Sequence, residues 1–152
     1  MKKILAVLAI VLSFAHLTYA QVLFDNGNVF EWAGTYNYMD DDLNVYKLHI
    51  TGYEGEFSAE LEYIDLKPKY TIKCSVTPSE EYKTLEIKFK ELKSGEFPEL
   101  SRMEEIWAHT RNAPVLMELQ IDPATELITT VLYELSINGE KAGKEAIIFD
   151  RK

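Results

Sequence analysis

The chain has 152 residues, with 16 Lys and Arg against 25 Asp and Glu, for a formal net charge of −9 at pH 7. That length suits one packed domain and leaves too little for two, and an acidic surface repels phosphates, which speaks against a nucleic-acid partner. A single cysteine, Cys74, cannot build a disulfide framework within the chain.

Residues 1–20 have the three-part layout of a secretory signal peptide. Lys2 and Lys3 supply the positive start, Ile4 to Phe14 is apolar apart from Ser13, and Thr18-Tyr19-Ala20 places small residues at the −3 and −1 positions of a cleavage site. The apolar part is shorter than the roughly 20 residues that span a bilayer, and no later run approaches that length. No Cys follows the small residues, so a lipid-anchored terminus is not expected. The expectation is a single exported domain over residues 21–152, periplasmic or extracellular, with no membrane attachment after cleavage. There is no Asn-x-Ser/Thr sequon to inform on glycosylation.

Beyond the leader the dominant period is two, the pattern of half-buried antiparallel strands. Phe30, Trp32, Tyr36 and Tyr38 alternate with Glu31, Ala33, Thr35 and Asn37, with Gly34 in the middle. Asp40-Asp41-Asp42 breaks the run. Tyr46, Leu48 and Ile50 follow, then a turn at Gly52 and Gly55, then Phe57, Ala59, Leu61 and Tyr63. Pro68 marks a turn before Tyr70, Ile72, Cys74 and Val76. Pro78-Ser79 precedes Leu85, Ile87 and Phe89.

Lys93 to Pro114 behaves differently. Ser101-Arg102-Met103-Glu104 fits a helix N-cap with an acidic partner three residues on. Met103, Ile106 and Trp107 fall at helical spacing, which predicts a short helix over about Ser101–His109. With Met103 and Trp107 on its apolar side, this excursion is expected to form a lid over one end of the sheet. The strand pattern then returns in Val115, Met117, Leu119 and Ile121, turns at Asp122-Pro123, runs through Leu127–Leu135, meets a tight-turn signal at Asn138-Gly139 and ends on Ala146–Phe149.

Eight candidate strands joined mostly by short turns predict an all-β fold, an antiparallel up-and-down meander with one short helix before the sixth strand. Eight strands with one apolar face can close into a barrel, which removes exposed edges; two sheets packed as a sandwich are the alternative.

The letters Trp32-x-Gly34-x-Tyr36-x-Tyr38 carry a resemblance. They are similar to the first strand of small, uncharacterised bacterial exported proteins of the domain-of-unknown-function kind. The layout more loosely resembles lipocalin-like (calycin) barrels, in which a Trp on the first strand plugs one barrel end. In that family a Gly precedes the Trp with one residue between, whereas here Gly34 follows Trp32. The resemblance implies a barrel and a ligand-holding interior, although a fold does not fix a function.

Aromatic residues on the inward face are the foremost binding candidates. Trp32, Tyr36, Tyr38, Tyr46, Tyr63 and Tyr70, with Trp107 on the helix, could line a cavity whose hydroxyls orient a small ligand, or fill a core with no cavity at all. Asp40, Asp42 and Asn44 have the spacing of half a calcium loop, but Val45 stands where its Gly belongs and Thr51 where its bidentate Glu belongs, so a solvated turn is expected. His49 falls on a polar strand face and His109 at a helix end, too few and too far apart for a zinc site. Cys74 falls on the inward face without an activating base and reads as a buried, inert thiol. No nucleophile elbow, H-E-x-x-H or phosphate-cradling loop is present, so no catalytic residue, metal or cofactor is expected. Two functions follow: an exported barrel holding a small apolar or amphipathic ligand, or an acidic inhibitor or immunity-type protein that binds a basic secreted enzyme in the cell envelope.

Overall fold

A computed structural model of the chain describes residues 21–23, 29–53, 56–79, 82–135 and 141–152. The export signal at residues 1–20 and the Asn138-Gly139 turn lie outside the described residues. Among the described residues ten strands and one helix follow in order: β1 (Gln21–Leu23), β2 (Val29–Glu31), β3 (Gly34–Asp40), β4 (Val45–Tyr53), β5 (Glu56–Asp65), β6 (Lys67–Pro78), β7 (Thr84–Gly95), α1 (Leu100–Thr110), β8 (Val115–Ile121), β9 (Ile128–Leu135) and β10 (Lys141–Arg151). Strands β3 to β10 pair with their sequence neighbours, all antiparallel, and β10 returns to β3, closing an eight-stranded barrel of the lipocalin-like kind. The sandwich alternative is excluded by that closure. α1 precedes the sixth barrel strand, as the pattern predicts.

The period of two works as expected because alternate side chains point into the barrel. Tyr36, Tyr38, Leu48, Ile50, Leu61, Ile72, Cys74, Leu85, Ile87, Met117, Leu119 and Ile121 are all buried in one continuous core. Each large aliphatic side chain taken fully out of water contributes about 1.5–3 kcal/mol, so this inward set is the main term holding the barrel together.

Three local departures have physical causes. The expected first strand is two elements, because the chain changes direction at Gly34. Its φ of +149° belongs to glycine, and a Cβ there would lie 2.9 Å from the Lys152 carbonyl oxygen. Thr35 and Lys152 exchange backbone hydrogen bonds at 2.8 and 2.9 Å, tying the carboxyl end to the start of β3. Strand β2 instead forms a ribbon with β1, Gln21 opposite Glu31, which the sequence pattern did not announce.

The turn assigned to Pro68 lies two residues earlier. β5 and β6 meet at Leu66 alone, in a left-handed backbone conformation (φ +63°), and Pro68 sits within β6 opposite Ile64, beside a bulge. β7 runs well beyond Phe89, to Gly95, because bulges between Thr71 and Ile72 and between Lys73 and Cys74 re-phase its pairing with β6. Gly95 (φ +82°) permits this close approach: a Cβ on it would fall 2.0 Å from the Lys69 carbonyl oxygen.

The helix starts one residue before the expected Ser101 and does not use a capping box. Its N-cap position is Glu99, with no side-chain cap hydrogen bond. Arg111 ends it in the left-handed conformation, its N–H donating to Trp107 O. Met103 and Ile106 are the buried stripe, whereas Trp107, expected beside Met103 on the apolar side, is 36% exposed. One residue past Ile106 is a rotation of about 100° on a helix, which carries Trp107 to the flank, where its ring meets Phe89 edge-on at 6.2 Å.

Candidate functional site

The two barrel ends differ. At one end the chain fills the interior with its own side chains. Trp32 is fully buried and its indole Nε1–H donates to the Tyr82 carbonyl at 2.6 Å, bridging from the start of the barrel to the β6–β7 turn. The Tyr36 hydroxyl donates back to Trp32 O at 2.8 Å, and the Arg151 guanidinium lies 5.2 Å from the Tyr36 ring centroid. Tyr36 and Tyr38 stack at 6.3 Å. Burial raises both hydroxyl pKa values above the ordinary tyrosine range, with Arg151 partly offsetting this at Tyr36 and the facing Thr130 hydroxyl at Tyr38. Trp32 therefore plugs this end, and Tyr36 and Tyr38 pack the interior above it.

The opposite end holds a cavity of about 450 Å³ that communicates with solvent, within the range of small-molecule sites, roughly 300–1,000 Å³. Its position follows from strand polarity. The β3–β4 turn, the first residues of β4, β6, β8 and β10, and the connection through α1 all meet there. Leu61, Ile72, Met103, Leu116 and Leu132 give the apolar lower wall, and Tyr46, Tyr70 and Phe97 give an aromatic upper wall. Five charged residues also line it: Asp40 and Asp42 from the end of β3 and its turn, Glu99 and Arg102 from the start of α1, and Lys144 from the first half of β10.

The aromatic wall is continuous. Ring centroids run Tyr46–Tyr63 at 5.3 Å, Tyr63–Tyr70 at 5.4 Å, Tyr70–Phe97 at 4.9 Å and Phe97–Phe89 at 6.2 Å. Each spacing suits favourable ring contact. Tyr63 stands behind the wall, its hydroxyl donating to Asn44 Oδ1 at 3.0 Å. Burial, and then the neighbouring Tyr63 and the Glu99 carboxylate, push the Tyr70 hydroxyl pKa up to about 12. The Tyr46 pKa is raised further, by burial first and then by Tyr70 and Asp40. Both hydroxyls are neutral donors at any ordinary pH.

Asp40 organises the rim. Its carboxylate accepts from the backbone N–H of Asp42 (3.1 Å) and of Asn44 (2.8 Å) and from Asn44 Nδ2 (3.0 Å). The run of acids that resembles half a calcium loop is thus a turn closed on its own side chain. Among the described residues no three His, Cys, Asp or Glu side chains gather as a metal site. The Lys144 ammonium lies 3.3 Å from Asp42 Oδ2 across the mouth, and Arg102 lies 3.4 Å from Glu99 Oε2.

Of the residues singled out from sequence, Tyr46 and Tyr70 line the cavity and Tyr63 supports them. Trp32 and Tyr36 belong to the packed end, Tyr38 is fully buried opposite Tyr46 in the ladder without lining the cavity, and Trp107 stands on the outer flank of α1. Helix α1 contributes Arg102 and Met103 to the cavity wall and buries Met103 and Ile106 in the barrel core. His49 stands on the outer face, its Nδ1 2.9 Å from Thr35 Oγ1. Cys74 is buried, with its thiol pKa pushed up to about 12 by desolvation. Phe97 and Glu99 lie in the connection before α1, Arg102 on the first turn of α1, and Lys144 in a strand without apolar alternation, so no local pattern marks them; an apolar Phe97 between Gly95 and Pro98 is the one available hint.

A scan against protein-family models finds no match to this chain. Searches of curated proteins and of solved structures find none either.

Proposed function

We propose that this chain is an exported binding protein whose barrel takes up a small apolar or amphipathic molecule through its open end. The observation that carries the reading is the cavity of about 450 Å³ lined by aliphatic and aromatic side chains together with a few charged groups from the turn and helix at this end. A tail belongs below and a polar head at the mouth. Export rests on the signal-like residues 1–20. A chain of eight to ten carbons would gain roughly 6–8 kcal/mol on burial, against association costs of at least about 4 kcal/mol, which leaves at most about 4 kcal/mol from the tail alone, to which contacts at the mouth add. The outer face of β4 to β7 supports this reading over an acidic inhibitor. Lys47 pairs with Glu62 at 2.7 Å, and Lys73–Glu91 and Lys93–Glu60 pair at 2.6 Å. A basic partner would meet alternating charges there rather than one continuous acidic face.

The test is calorimetric titration with n-decanol of the wild type and of Leu132→Trp, which places an indole into the cavity. Saturable binding by the wild type that is lost in a folded Leu132→Trp supports the reading. Absence of saturable binding, or equal binding by the variant, overturns it.

A further inference from the structure

The rim of the cavity is not balanced for both signs of charge. Each lining cation already faces an acid, Arg102 with Glu99 and Lys144 with Asp42. Asp40 takes part in none of the ion pairs among the described residues. It is only 8% exposed, and the donors to its carboxylate are neutral: two backbone amides and the Asn44 side-chain amide. A poorly solvated carboxylate at a cavity edge keeps a long-range attraction for positive charge, because little water screens it.

Beside it stands the aromatic wall. Tyr46, Tyr70 and Phe97 border the cavity, and their ring faces carry the negative part of the aromatic quadrupole. The same run of rings already accepts an ammonium on its flank, where Lys69 Nζ lies 5.4 Å from the Tyr63 centroid. Asp40 and Glu99 lie at the cavity together with these rings. A carboxylate or sulfate head would have to approach both acids and draw Arg102 or Lys144 away from its present partner. A protonated or quaternary amine meets rings and carboxylates without breaking either pair.

We infer that the open-end cavity selects cationic amphiphiles, with an amine or quaternary ammonium head held among Tyr46, Tyr70, Phe97 and Asp40 and an apolar tail on Leu61, Ile72 and Met103. This rests on the binding reading above and names its ligand class. Cation–aromatic attraction in a partly desolvated site changes affinity by roughly tenfold.

The experiment titrates the full secreted chain, by calorimetry, with three probes of equal tail length: decyltrimethylammonium, n-decanol and decanoate, each as a monomer in solution. The ammonium should bind at least about tenfold more tightly than decanoate, with an affinity that falls as salt rises. Asp40→Asn and Glu99→Gln should each lower the ratio of ammonium to decanol affinity several-fold, and Glu99→Gln should improve decanoate by releasing Arg102. Glu99 is half-exposed, so its variant remains informative if Asp40→Asn disturbs the β3–β4 turn. Decanol binding with decanoate equal to or tighter than the ammonium overturns the cation while the binding reading stands. No saturable binding by any of the three overturns both.

Discussion

Trp32→Phe tests the packed end of the barrel. The indole N–H donates to Tyr82 O at 2.6 Å, and the phenyl ring has no donor. Losing that bond and leaving the carbonyl without a partner costs about 1–2 kcal/mol. Trp32 has no exposed surface, so the smaller ring leaves a void beneath Tyr36, and a large-to-small change of this kind costs another 1–2 kcal/mol or so. Together they should remove about 3 kcal/mol, a fall in Tm on the order of 10 °C for a domain of this size. The assay is urea unfolding at neutral pH followed by far-ultraviolet circular dichroism, reading the midpoint at constant slope. A loss below about 1 kcal/mol would refute the view that Trp32 plugs the barrel. The chain has two tryptophans, so this variant also leaves Trp107 as a single fluorescent reporter on α1.

Gly95→Ala should destabilise by about 2 kcal/mol or more, since the added Cβ would fall 2.0 Å from the Lys69 carbonyl oxygen at a φ of +82°; a melting temperature equal to that of the wild type would contradict the β6–β7 approach. Leu66→Gly should stabilise by up to about 1 kcal/mol, because the leucine is fully exposed and held at a φ of +63°; a lower melting temperature would show that this side chain makes a contact that matters. Alkaline unfolding should follow the buried tyrosines. Tyr70 titrates near 10 when unfolded and near 12 when folded, so the folded state holds its proton more tightly. Its contribution to stability is complete below pH 10 and is lost as pH rises towards 12. Spectrophotometric titration should then show some of the nine tyrosines ionising only as the circular dichroism collapses, and ionisation of all of them near pH 10 in a native fold would count against this.

The barrel was legible because its side chains obey one rule for most of their length. From Tyr46 to Ile50, from Phe57 to Leu61, and again from Met117 to Ile121, the apolar letters mark the inward face in strict alternation, and strand order then follows from short connections; at the start of β8 a register shift turns Leu116 rather than Val115 to the cavity. Legibility failed where the backbone breaks the rule. Bulges in β6 and β7 shift the phase after Phe89, so the strand continuing to Gly95 is hidden. The β5–β6 turn is made by Leu66, a residue type that carries no turn signal, and Pro68 drew attention instead. The cavity was half visible. Tyr46, Tyr63 and Tyr70 share the inward face with Tyr36 and Tyr38, and nothing in local sequence says which rings border the cavity and which are packed away from it. That distinction depends on which end the β6–β7 turn closes and on the connection carrying Phe97, Glu99 and Arg102. Both are properties of the closed barrel rather than of any one strand.

The most direct measurement is a set of amide and aromatic chemical shifts recorded by nuclear magnetic resonance as decyltrimethylammonium is added. The account expects saturable shifts at Tyr46, Tyr70, Phe97 and Met103, with Trp32 and Tyr36 at the opposite end unmoved. Shifts spread over the outer strand faces, or none that saturate, would contradict it.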